Sequence, residues 1–144
     1  MHISNLFKKI SVIIIMVASF NPFVRSQNSL SKLFDAALPS VLKIETFDEN
    51  DRPLMSGTGF FISPKGKGIS NLHVFRGAFK STVTTPSGKS YSIDSIWYKN
   101  DSLDLVTFTV IKDPNEVFPF LNIDKNEPKI GEDVFVIGNP IGMI

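Results

Sequence analysis

With 144 residues, 15 basic and 14 acidic side chains and no cysteine, the chain has room for one packed core and not for a two-domain enzyme. A net charge near zero gives no electrostatic ground for nucleic acid or an anionic membrane surface as partner, and the lack of cysteine excludes disulfides, zinc–thiolate sites and a cysteine nucleophile. The 42% hydrophobic content, with 13 Phe and 20% charged residues, lies well above that of a disordered segment, so the chain is expected to fold.

Residues 1–26 read as an export signal. Lys8 and Lys9 precede an apolar run of eleven residues over 10–20, and small or turn-forming residues come next. The run is shorter than the roughly 20 apolar residues that cross a bilayer as a helix. Flanking residues can still lengthen it into an uncleaved N-terminal anchor, and both outcomes stay open. Cleavage after Ser26 or after Ser19 suits the small residues there. Either way the folded part is expected to be exported, periplasmic or secreted, with its stability resting on its core. Without this segment the count is 12 basic against 14 acidic, which makes nucleic acid less suitable still.

Residues 27–40 carry Leu30, Leu33, Phe34, Ala37 and Leu38 at helical spacing, with Asn28 or Ser29 as cap and Pro39 as stop. One short amphipathic helix is predicted, its apolar stripe covering an open end or edge of the domain C-terminal to it. From residue 41 to 144 the texture becomes short β-branched and aromatic runs between turn formers. Strands are predicted over 41–47, 58–63, 68–71, 81–85, 90–98, 104–111 and 133–138. Pro86-Ser87-Gly88 reads as a hairpin tip and Asp48-Glu49-Asn50-Asp51 as an exposed turn. No long helix interrupts the series, so the class is all-β and antiparallel rather than α/β.

Two histidines exist, and His2 lies in the signal segment, so His73 is the one imidazole left to the folded part. A metal site built on several histidines is thereby excluded, no clustered acids stand at a ligand spacing, and no cofactor is implied. Taken alone, a lone His at a strand end is more often structural than catalytic. Asp104, at the mouth of the apolar run 105–110, is by itself an ordinary strand-end acid. Asp101 competes with it for any role, and charge alone does not separate the two.

Together the pieces are more specific. Gly57-Thr58-Gly59-Phe60-Phe61-Ile62-Ser63, Ser70-Asn71-Leu72-His73-Val74-Phe75, Asp104-Leu105-Val106 and Ile137-Gly138-Asn139-Pro140-Ile141-Gly142 resemble, in order and spacing, the trypsin-like serine peptidases. The similarity is greatest to their cysteine-free, exported HtrA/Deg-like branch, and it covers roughly residues 29–144. It implies the first antiparallel β-barrel of a two-barrel fold, in which the first barrel supplies His and Asp and the second supplies Ser and the oxyanion hole. Carried over, His73 matches the general base and Asp104 its orienting partner. The 30 residues between them leave room for two strands and a hairpin, which returns both side chains to one barrel rim. Gly57 and Gly59 suit close packing near that rim. Residues 138–142 look like the turn leaving the first barrel, and no chemistry is assigned to them.

No Gly-x-Ser-Gly-Gly or similar nucleophile turn occurs in the sequence. Ser87 has a faint local likeness but falls on a hairpin tip. The expectation is therefore the N-terminal part of an exported serine endopeptidase, inactive alone, whose partner is a polypeptide substrate or the missing C-terminal barrel. An exported non-catalytic peptide- or protein-binding module on the same barrel is the alternative. A small barrel with a coincidental His and Asp is a third.

Overall fold

Along β6 (Leu105–Val110), Val106, Phe108 and Val110 are buried while Leu105, Thr107 and Thr109 are half-exposed, the period-two pattern of a strand with one face on a core. Five further strands share this core: β1 (Val41–Phe47), β2 (Pro53–Phe61), β3 (Lys67–Asn71), β4 (Lys80–Thr84) and β5 (Ser90–Asn100). The computed structural model describes residues 24–138. The predicted signal up to residue 23, His2 within it, and the turn beyond Gly138 lie outside the described residues.

The chain divides into two units, Met1–Leu33 and Phe34–Ile144. Helix α1 (Val24–Ala37) begins four residues ahead of Asn28, because neither Gly nor Pro interrupts residues 24–28. A 3₁₀ turn, Leu38–Ser40, carries Pro39 and ends the helix as expected. Of the apolar stripe, Phe34 is 42% and Leu38 38% exposed. No helix among the described residues is long and apolar enough to cross a membrane.

All strand pairings are antiparallel and close a barrel in the order β1-β2-β3-β6-β5-β4. Closure is made by β1 against β4, from Lys43 opposite Thr84 to Phe47 opposite Lys80. Leu42, Ile44, Phe61, Val83 and Phe108 are fully buried within it. Burying each such side chain stabilises by roughly 1.5–3 kcal/mol, and a fold without disulfides depends on this set. Phe118, from the segment after β6, plugs the interior, with its ring 4.4 Å from Phe61 and edge-on to Tyr91 at 5.0 Å. Its N–H donates to the Pro64 carbonyl at 3.1 Å, which straps the segment to the barrel.

The hairpin tip at Pro86-Ser87-Gly88 is present, with Gly88 at φ 84°. The turn after β1 is also present, Asp48 Oδ1 accepting the backbone N–H groups of Asn50 and Arg52. Strand β2 starts at Pro53 rather than residue 58, because its first half is held by register against β1, Thr46 facing Met55. Residues 133–138, predicted as a strand, form none. With β1 and β4 paired, the barrel among the described residues offers no free edge, and Val134 and Val136 stand 81% and 94% exposed.

Candidate active site

The last residue of β3 faces the first of β6, Asn71 opposite Leu105. Antiparallel register therefore sets the segment leaving β3 against the segment entering β6. The segment leaving β3 is a second 3₁₀ turn, Leu72–Phe75, and the residue entering β6 is Asp104. Strands β4 and β5 and their hairpin occupy the interval between, so His73 and Asp104 return to one rim.

Burial fixes the turn. Leu72 and Val74 are 7% and 3% exposed, and His73 between them faces outward. Gly57 makes room for Val74, since a Cβ there would lie 2.6 Å from Val74 Cγ2, and a Cβ on Gly59 would lie 2.7 Å from the Ile69 carbonyl. Inside the barrel, the Thr46 hydroxyl donates to the Val74 carbonyl at 3.1 Å. A backbone group that would otherwise be buried without a partner is thus satisfied, and the turn is tied to β1.

Asp104 receives His73 twice. The His73 backbone N–H donates to Oδ1 at 2.8 Å, and ring Nδ1 lies 2.5 Å from Oδ2. Asn71 Nδ2 donates to the same Oδ2 at 3.2 Å and to the Asp104 carbonyl at 3.3 Å. That carbonyl also accepts the Leu72 N–H at 3.1 Å. These donors, the His73 ring foremost and its backbone N–H next, hold the Asp104 carboxyl below the usual carboxylate range. Asp104 itself sits at φ 47°, a left-handed conformation unusual for a residue other than glycine and frequent at functional sites.

Asp101, the sequence competitor, points elsewhere. Its Oδ1 meets Arg76 Nη2 at 3.4 Å, and only its backbone carbonyl touches Asp104, accepting the Asp104 N–H at 3.3 Å. Ser87 lies on the β4–β5 hairpin, its hydroxyl 2.9 Å from that of Thr85. Ser70, three residues from His73, is buried and donates to the Thr58 carbonyl at 2.8 Å. Among the described residues no group of three or more His, Cys, Asp or Glu side chains could hold a metal.

A ring whose Nδ1 faces a carboxylate keeps that nitrogen protonated and presents Nε2 with its lone pair, ready to take a proton from a hydroxyl. The His73 and Asp104 side chains are 50% and 37% exposed, so the pair lies open on the rim. A cavity of about 560 Å³ bounded by Leu38, Thr85, Tyr91, Glu116 and Phe118 contains neither residue. Sequence reasoning did not single out Asn71. Its contribution depends on the direction in which one amide points, which is fixed only by strand register.

Residues 57–143 match the family profile described as a trypsin-like peptidase domain. A probable periplasmic serine endoprotease, DegP-like, of Rickettsia conorii is 31% identical over 103 residues, covering 70% of this chain and 20% of the relative. The chloroplastic Protease Do-like 1 of Arabidopsis thaliana is 28% identical over 121 residues, 78% of this chain and 27% of its own length. A DegP-like probable periplasmic serine endoprotease of Chlamydia trachomatis is 35% identical over 94 residues, 64% of this chain and 18% of its own. The chain thus spans between 18% and 27% of the length of these relatives.

Proposed function

Because the chain belongs to the trypsin-like serine peptidases, in their HtrA/DegP-like branch, we propose that its barrel supplies the general base, His73, and the orienting acid, Asp104, of an exported serine endopeptidase. The serine and the oxyanion donors are supplied by a second barrel. The observation that carries this reading is the double engagement of one carboxylate by one histidine, backbone N–H on Oδ1 and ring Nδ1 on Oδ2.

That geometry supports the following chemistry. As the serine oxygen attacks the scissile carbonyl carbon, His73 Nε2 takes the hydroxyl proton. Nδ1–H stays on the ring, and the Asp104 carboxylate stabilises the imidazolium without being protonated. Nε2–H then gives the proton to the leaving amine, the acyl–serine ester remains, and water repeats the sequence to release the acid. The donors that stabilise the oxyanion contribute about 10²–10³ in turnover, and a barrel holding only base and acid does not hydrolyse peptides alone. Export is supported by Lys8 and Lys9 ahead of an apolar run and by relatives whose names place them in the periplasm.

The purified chain is expected to leave denatured casein intact. Cleavage abolished by His73→Ala would show a nucleophile within these residues and overturn the two-barrel division of labour. Sequencing the DNA after the last codon gives an independent check, the expected result being an open frame that encodes Gly-x-Ser-Gly.

A further inference from the structure

Asn71 stands where β3 hands over to the second 3₁₀ turn, a position at which an Asn side chain ordinarily accepts a backbone N–H from the adjoining turn. It makes no such bond. Its Nδ2 reaches 33 residues along the chain and donates to Asp104 at two points, Oδ2 at 3.2 Å and the backbone carbonyl at 3.3 Å. Turning the amide over would set its oxygen against two acceptors, so these partners fix its orientation.

A carboxylate held at one oxygen still swings about its Cβ–Cγ bond. The His73 N–H grips Oδ1, which leaves the plane of Oδ2 to be set by whatever else reaches it. The imidazole N–H is the group that this plane has to receive, so a plane set in advance of it needs another donor. Asn71 is the remaining donor, and by bonding the Asp104 carbonyl as well it ties the side chain to a backbone already in a left-handed conformation. Resting on the reading of His73 and Asp104 as base and orienting acid, we infer that Asn71 is a positioning residue: its amide clamps the Asp104 carboxylate in the plane that receives the imidazole N–H.

The test uses the full chain with isotope-labelled histidine. Proton–nitrogen correlation spectra of the neutral imidazole separate its two tautomers, and His73→Ala distinguishes its signals from those of His2. In the wild type the Nδ1–H form is expected to dominate. Asn71→Ala should lower the ratio of Nδ1–H to Nε2–H about fivefold, the equilibrium effect of one ordinary hydrogen bond. Asn71→Gln, with the same donor on a longer arm, should restore most of it. Asn71→Leu keeps most of the side-chain size and removes the donor without adding a charge. It should lower the same ratio by a similar factor, and it serves if the Ala variant does not fold. A merely structural Asn71 lowers the melting temperature and leaves the ratio at its wild-type value, and that result overturns the inference alone. A wild-type spectrum without a dominant Nδ1–H form overturns the base-and-acid reading as well.

Discussion

Thr46→Val removes one hydroxyl from the barrel wall and leaves side-chain shape nearly unchanged. Thr46 is fully buried, and its Oγ1 bonds the Val74 carbonyl at 3.1 Å and the Met55 N–H at 3.2 Å. The carbonyl belongs to the turn that carries His73. Stranding it in the interior costs about 1–3 kcal/mol, and the added methyl returns at most about 0.8 kcal/mol of burial. The net loss is on the order of 1–2 kcal/mol, which for a barrel of this size lowers the melting temperature by roughly 5–15 °C. Thermal unfolding monitored by far-ultraviolet circular dichroism measures it. A drop smaller than about 2 °C would mean that the Val74 carbonyl finds another partner and that Thr46 does not anchor the turn.

Gly68 lies against the face of the Phe108 ring, with no room for a Cβ. Gly68→Ala should therefore destabilise the barrel by about 1–3 kcal/mol through overpacking, measured as a lower urea midpoint. Both Asp104 and Glu116 have carboxyls held below their ordinary range, Asp104 chiefly by the His73 ring and Glu116 chiefly by Lys89. A depressed folded-state value means that each contributes stability above its unfolded value, about 4, and that this is lost as pH falls through the folded value. The urea midpoint should accordingly decline below about pH 4, and more gently in Asp104→Asn/Glu116→Gln; an identical decline in the double variant contradicts this. Asp101→Asn should leave the His73 tautomer ratio unaltered, whereas Asp104→Asn should abolish the Nδ1–H preference. The same imidazole spectra separate the two outcomes.

Much of the barrel was legible because its strands carry their own signals. Strand β1 and strand β6 alternate buried and half-buried residues, and Pro86-Ser87-Gly88 marks the hairpin between β4 and β5. The first half of β2 is not legible, since residues 53–57 carry no strand period of their own and form a strand only because β1 pairs with them. Phe118 carries no sequence signal for a related reason. It belongs to a segment with no strand period, and its burial between Phe61 and Tyr91 depends on the whole barrel being assembled. The apolar β-branched run at 133–138 is the opposite case, since a strand pattern is realised only against a free edge. At the site, the family resemblance pairs His73 with Asp104, and their spacing allows the convergence because the intervening pattern reads as two strands. Discrimination against Asp101 and the involvement of Asn71 both depend on where a side chain points after β3 and β6 pair.

The most direct trial of the account is to join the chain to the C-terminal remainder of the Rickettsia conorii relative and measure labelling by a fluorophosphonate. The account predicts rapid labelling of a serine in the added part, abolished by His73→Ala and slowed about 10⁴-fold by Asp104→Asn. A serine that reacts as fast without His73 as with it would contradict the account.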